Sequence, residues 1–437
     1  MKFRKYLKRK TLTKTFTTKL QHSNTLGTDG ISTNKFSEII DEEITIIKRK
    51  IKNHTYNISP YKEQLILKNR ASNPRMISIP TNRDKLVLSA LQKFLTTEFK
   101  NKVSNDNIGE KIHNVKKMIQ AKKYNSFMKL DIKSFYPNID HKILLEKIKR
   151  YIDDEEALYL LEKALTQVTI SKGRRKDKKN NLETKGVAQG LSISNILASI
   201  YLIDLDLKYL HEENLSYFRY VDDILILCDT DDVEKIKASI CIDAKELILE
   251  VHEFKSGSAK SVSGIIGQDK FQFLGFEFHK NIISVREQSV DRLRDRIIEV
   301  FYNNIESDDK DLYRELNLKI SGCIYNNKQY GWMQFFRQID DQTLLYSLDS
   351  FVKSQFKRFK RKYEEREIKK FTKTYFILKN YDVDKLDRNS YIPKFRTAIS
   401  LKIPDTTILL KNKVDLDNNL LKIHRIIIDL KEDVEFY

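Results

Sequence analysis

Phe218-Arg219-Tyr220-Val221-Asp222-Asp223-Ile224-Leu225-Ile226-Leu227 decides how the rest of this chain is read. Two carboxylates stand side by side between apolar stretches. The pattern predicts that one buried strand ends and the next begins at the acidic pair, in a tight hairpin turn. Other Asp pairs, at 153–154, 231–232, 308–309 and 340–341, lie in polar or helical contexts and read as solvated surface. For 222–223 that reading would require two apolar strands to meet at a charged turn without function.

Adjacent carboxylates at a rigid turn suit hard divalent cations. Two such ions about 3.5–4 Å apart can activate an attacking hydroxyl and stabilise a leaving pyrophosphate. Mg²⁺ takes only one or two protein carboxylates and fills its other positions with phosphate oxygens and water. A third carboxylate from another strand is therefore expected. Phe127-Met128-Lys129-Leu130-Asp131-Ile132-Lys133-Ser134-Phe135-Tyr136-Pro137-Asn138-Ile139-Asp140 supplies it at Asp131, the end of an apolar strand. Pro137 marks a turn or helix start after it. Asp140 reads as the N-cap of a helix beginning at 141, not as a ligand.

The bulk numbers agree with a phosphate partner. The chain has 437 residues, with 80 Lys and Arg against 61 Asp and Glu, a net charge of +19. Such an excess favours a polyanion, because each cation that meets a phosphate releases condensed counterions. Cys228, Cys241 and Cys323 lack metal-ligand spacing, and their odd number fits a reducing compartment. No apolar run reaches the roughly 18 residues of a membrane span. The expectation is a cytoplasmic protein with no membrane partner.

Helical periodicity runs through 36–52, 86–99, 141–168 and 232–250, and strands are expected at 127–132, 218–228 and 271–279. The polar, basic stretch 173–185 reads as an exposed loop or hairpin. From about 286 the pattern turns helical and basic, and Lys353 to Lys362 is expected to line cations along a helix. The fold class expected is mixed α/β (α+β).

Taken in order, these segments resemble the reverse transcriptase family over about residues 25–370. Asp131 with its Ile-Lys-Ser-Phe-Tyr continuation resembles motif A. Gln189-Gly190-Leu191-Ser192-Ile193-Ser194-Asn195 resembles motif B, Tyr220-Val221-Asp222-Asp223 motif C, and Phe273-Leu274-Gly275-Phe276 the primer grip of motif E. Arg75-Met76-Ile77-Ser78-Ile79-Pro80 resembles a fingers element of bacterial and intron-encoded enzymes, and Gly27-Thr28-Asp29-Gly30-Ile31 an element near the start of group II intron enzymes.

The resemblance implies a right-hand polymerase: an N-terminal segment and fingers at 1–125, palm at 126–285, helical thumb at 286–370, and a C-terminal extension at 371–437. It implies RNA-directed DNA synthesis from a 3′-hydroxyl or a protein hydroxyl, with two Mg²⁺ ions or Mn²⁺ in their place. Asp131, Asp222, Asp223 and the Ile132 backbone carbonyl would hold the metals. Lys68 and Arg75 would meet the triphosphate, and Tyr136 would exclude a ribose 2′-hydroxyl. Gln189 and Gly190 would lie against nucleotide and template, and Lys255 would protonate pyrophosphate. Phe273, Leu274 and Gly275 would grip the primer. Trp332, in Gly331-Trp332-Met333-Gln334-Phe335-Phe336-Arg337, would be thumb core.

Ala188 and Asn195 stand where retron and group II intron enzymes usually carry proline. That variant resembles the defence-associated (DRT) and abortive-infection reverse transcriptases of bacteria. Partners implied are an RNA template, a dedicated noncoding RNA among the options, with DNA product and dNTPs; a homo-oligomer or a partner protein stays open. The rival readings are a group II intron or retron enzyme, and a catalytically inactive nucleic-acid-binding protein.

Overall fold

The computed structural model describes residues 2–21, 23, 25–66, 74–104, 106–171, 184–255, 260–325, 328–380, 391–392, 394–395, 423 and 425–434. The mixed helix-and-sheet class expected of a right-hand polymerase is the class observed. The chain divides into two compact units, Met1–Asp106 with Ser126–Ser263, and Asn107–Asn125 with Gly264–Tyr437.

In the first unit, β1 (Tyr61–Ile66) and β2 (Arg75–Ile79) pair antiparallel, and β4 (Thr169–Ile170) adds parallel to β1. A second sheet is built on β3 (Ser126–Asp131), β5 (Leu215–Tyr220) and β6 (Asp223–Cys228), in the order β5-β6-β3, with a further strand starting at Val262 beside β3. β6 is central, and both its faces are covered. Ile224, Leu225, Ile226, Leu227 and Cys228 are all buried, which is why it reads as an unbroken apolar run. β5 alternates, with Leu215, Tyr217 and Arg219 inward.

Helices pack against this sheet. Thr81 caps Asn82–Glu98, accepting from the Asp84 N–H, and Leu86, Leu91, Phe94 and Leu95 of that helix enter the core. Two long periodic stretches are each broken in two. The 36–52 stretch divides into Thr33–Glu38 and Ile40–Lys52. Beside the break the Ser37 hydroxyl donates back to the Asn34 carbonyl, a bond that bends helices. The 141–168 stretch divides into His141–Lys149 and Glu155–Leu165, because Asp154 starts a second helix as its N-cap. Asp140 caps the first, accepting from Ile143 N–H at 3.0 Å, as expected.

In the second unit the helices Glu287–Asn303, Asp309–Ser321, Gln342–Arg358 and Phe371–Asn380 dominate. Trp332 is fully buried against Phe336 and Phe371, in the core as expected. The basic run meets its expectation only in part, with Lys353, Lys357 and Arg358 exposed on the helix Gln342–Arg358. The helix stops at Arg358, and Lys360 takes a left-handed φ of 52°. Arg361 turns inward, paired with Asp309 at 2.7 Å and donating to the carbonyls of Asn304, Ile305 and Ser307. Its partners are the carbonyls left open after a helix end, so this cation is bound to its own chain. Within the Asp pairs read as solvated surface, Asp154, Asp308 and Asp341 are also helix caps, each accepting from a backbone N–H three residues on. The 173–185 loop lies outside the described residues, apart from Thr184 and Lys185.

No helix among the described residues is long and apolar enough to cross a membrane.

Candidate active site

β5 and β6 are joined by a two-residue turn, because Tyr220 is the register partner of Asp223. Val221 sits at φ 58°. A positive φ at the first turn position alone matches the turn that follows the right-handed twist of a hairpin. For a β-branched residue that conformation is an outlier. The Arg219 guanidinium braces it, donating from Nη1 to the Val221 carbonyl at 2.8 Å. Asp222 is thereby fixed at the tip and Asp223 at the first position of β6.

β3 brings in the third carboxylate. Asp131 is the direct cross-strand partner of Asp223. Directly opposed residues project to the same face, with Cβ atoms about 4.5–5.5 Å apart. Behind Asp131, the segment at 250–252 runs antiparallel: His252 N–H donates to the Asp131 carbonyl at 3.0 Å, and Lys133 N–H to the Glu250 carbonyl at 2.7 Å. This pattern around the Ile132↔Val251 bridge turns the Ile132 N–H and C=O away from residue 251, toward the β6 side.

The three acidic groups lie close enough to repel. Burial, followed by the charges of Asp223 and Asp131, pushes the Asp222 carboxyl up to about 6, and Arg75 pulls it back down. Two lysines answer part of the charge: Lys260 Nζ lies 2.6 Å from Asp131 Oδ2 and Lys129 Nζ 3.7 Å from Asp223 Oδ1. His252 Nε2 lies 3.5 Å from Asp131 Oδ2.

Among the described residues no three or more Asp, Glu, His or Cys side chains are gathered closely enough to hold a metal ion. The donor set still fits Mg²⁺, which binds through one or two carboxylates and takes its other oxygens from phosphates and water. The push on Asp222 comes first from burial and only second from its acidic neighbours Asp223 and Asp131.

Two of the residues expected to face a nucleotide, Tyr136 and Arg75, lie close enough to the same turn to interact with Asp222. Tyr136 is half-buried, and its hydroxyl pKa is raised by burial first and by the Asp222 charge second. Its carbonyl accepts from Val187 N–H at 2.9 Å, and its hydroxyl donates to Asn195 Oδ1 at 2.8 Å. Ser78 N–H donates to the Gln189 carbonyl at 2.7 Å, so the Gln189–Gly190 turn lies on β2. Gly190 has φ 97°, and a Cβ there would stand 2.5 Å from Ile77 Cγ2. The same strand carries Arg75, whose charge acts on both Asp222 and Tyr136.

Other expected residues fall elsewhere. Lys68 lies outside the described residues. Lys255 is exposed and pairs with Glu253 at 3.1 Å, whereas Lys260 meets Asp131 and Lys129 meets Asp223. Phe273, Leu274 and Gly275 belong to the second unit. There Leu274 and Gly275, at φ 51° and 86°, form the turn of the Phe271–Phe273/Phe276–His279 hairpin, with the Phe273 and Leu274 side chains buried.

Sequence reasoning missed Lys260, His252 and the Arg219 brace. Lysine density hid the first, and nothing in the pattern marks His252. Arg219 was readable: it occupies an inward position of β5, where a charge needs a buried partner. That partner is Asp206, bound through Arg219 Nε at 2.6 Å and through Nη2.

Residues 66–278 match the family model described as reverse transcriptase (RNA-dependent DNA polymerase). The chain is 27% identical over 199 residues to the group II intron-encoded protein LtrA of Lactococcus lactis subsp. cremoris, covering 44% of this chain and 32% of that protein. It is 23% identical over 205 residues to protein YkfC of Escherichia coli K12, covering 44% of this chain and 52% of that protein. The chain thus spans about a third to a half of the length of these relatives. Among solved structures, apo telomerase from Candida tropicalis aligns with a TM-score of 0.43 at 15% identity, covering 80% of this chain and 67% of that one.

Proposed function

We propose that the reverse transcriptase domain of this chain is an active RNA-directed DNA polymerase whose metal-binding groups are Asp131, Asp222, Asp223 and the Ile132 carbonyl. One observation carries the reading: the β3–β6 register sets Asp131 opposite Asp223, beside the turn that presents Asp222.

Reverse transcriptases generally use divalent metal ions, Mg²⁺ above all. Bound here, Mg²⁺ would supply Lewis acidity at phosphate oxygens. The chain's own groups do the rest. Arg75 offers a guanidinium suited to the triphosphate, with Lys68 assisting. Tyr136 packs against C2′ of the sugar. Gln189 and Gly190 line the nucleotide and template side. Lys260, next to Asp131, takes the proton-donor role expected of Lys255. Phe273, Leu274 and Gly275 shape the primer grip. Fingers, palm, thumb and extension then follow the ranges 1–125, 126–285, 286–370 and 371–437.

The biological setting proposed is bacterial antiphage defence with a noncoding RNA template, supported by the Leu191-Ser192-Ile193-Ser194-Asn195 variant. A group II intron role is the second reading, favoured by the similarity to an intron-encoded protein.

The test is DNA synthesis by purified protein with Mg²⁺, dNTPs and a primed RNA or the RNA that co-purifies. Wild type should make DNA, and Asp222→Asn should lose at least about a hundredfold, the scale expected when a group stabilising the transition state is removed. Equal synthesis by the variant would remove the site assignment. No incorporation by wild type on any template would return the chain to the inactive, nucleic-acid-binding reading. Sequencing the co-purified RNA separates a defence RNA from an intron.

A further inference from the structure

One bond beside the carboxylates serves neither the acidic turn nor the packing of the core. Tyr136 Oη donates to Asn195 Oδ1 at 2.8 Å. Each partner is fixed from its own side. Tyr136 lies in the short helix Phe135–Asn138, its ring against Phe135 at 5.7 Å and its carbonyl held by Val187 N–H at 2.9 Å. Asn195 stands in the first turn of the helix Ser194–Tyr201, whose start is tied by Ser194 Oγ donating to the Ala188 carbonyl at 2.6 Å. Asn195 is exposed, so its side chain has water as an alternative partner and contributes little to the core.

We infer that Asn195 is a specificity-determining residue for the sugar of the incoming nucleotide, acting through Tyr136. The inference rests on the polymerase reading above, with Tyr136 facing the sugar.

The chemistry is a matter of which group holds one proton. A phenol hydroxyl carries a single hydrogen to donate. Left free, it could turn toward a ribose 2′-hydroxyl and make a favourable bond with the group the ring is meant to exclude. Committed to Asn195 Oδ1, that hydrogen is withheld from ribose. The same bond stops the ring from swinging, because it restrains the end of the side chain farthest from the backbone. Steric exclusion is then backed by a rigid ring and by removal of a compensating bond. A site that leaves polar groups satisfied discriminates through what it denies the wrong substrate.

The test compares kcat/KM for dNTPs and for rNTPs on one primed RNA template with Mg²⁺, in full-length wild type, Asn195→Ala, Tyr136→Phe and the double variant. Each single variant should lower the dNTP-over-rNTP ratio about two- to tenfold, the range a single hydrogen bond is worth. The double variant should be no worse than either single one, since both remove the same bond. A merely structural role would lower both kcat/KM values together or shift the melting temperature, leaving the ratio unmoved. An unchanged ratio in Asn195→Ala, or additive losses in the double variant, would overturn the inference while the polymerase reading stands. A wild type that incorporates neither nucleotide removes both.

Discussion

Arg219 donates its Nη1 hydrogen to the carbonyl of Val221, two residues further along the chain, at 2.8 Å. The bond spans the turn that presents Asp222. The guanidinium is itself buried and held by Asp206, which also accepts from the Tyr217 hydroxyl at 2.9 Å. A left-handed valine is thus maintained by a charge pair beneath it, and the acidic tip inherits its position from the helix Ile203–Leu210 that carries Asp206.

Breaking that pair from one side leaves an uncompensated buried guanidinium. Asp206→Asn should destabilise the protein by about 3–5 kcal/mol, read from chemical denaturation. It should also weaken catalysis in the fraction that stays folded, seen as a higher Mg²⁺ requirement. A variant as stable and as active as wild type would show that the turn holds itself.

Val221→Gly separates turn strain from turn position. Glycine takes φ 58° freely, whereas the left-handed region costs an L-residue about 1–2 kcal/mol. Its greater freedom when unfolded offsets roughly 0.5–1 kcal/mol of the gain. Stability should therefore hold or rise slightly while kcat falls, because a glycine turn no longer aims Asp222 as firmly. Calorimetry and single-turnover rates check the two halves.

The lysines at 255 and 260 are told apart by geometry. Lys260→Ala should lower kcat by about a hundredfold, typical of a lost general acid. Lys255→Ala, which removes an exposed pair with Glu253, should be at least about ten times milder. The reverse order would restore Lys255 to the role expected from its sequence context.

Gly190→Ala should push the turn off β2. Its new Cβ would meet Ile77 Cγ2 at 2.5 Å and the Ser78 carbonyl at 3.1 Å, at a φ that alanine resists. Overpacking of this kind costs about 1–3 kcal/mol. The dNTP KM should rise as well as the melting temperature fall, because the displaced strand also carries Arg75.

Asp433 sets a pH dependence in the second unit. Burial pushes its carboxyl up to about 6, even with Lys319 Nζ at 2.8 Å. The folded protein therefore holds this proton over a range in which the unfolded chain has released it. That contribution is complete below about pH 4, the ordinary Asp value, and is lost as pH rises through about 6. Stability should fall across that window, and Asp433→Asn should flatten the slope in thermal scans at several pH values.

Legibility followed the range of the interactions. The apolar run of β6 and the Asp140 cap rest on neighbours in sequence, and each was readable from the residues. The helix break at Ile39 was not, because no proline or glycine marks it. Arg361 was misread for a related reason. A cation in a basic run looks like surface until the carbonyls of Asn304, Ile305 and Ser307 are seen to surround it.

By itself the sequence determined the acidic turn, the strand that ends in Asp131 and the order of the motifs, since these depend on local pattern and on the few side chains able to hold a divalent ion. Only tertiary structure decided that Asp131 faces Asp223, that Lys260 reaches Asp131, and that Asn195 holds the Tyr136 hydroxyl. Strand register and contacts across 59 or 129 positions of chain depend on how whole elements pack, and no local pattern encodes them.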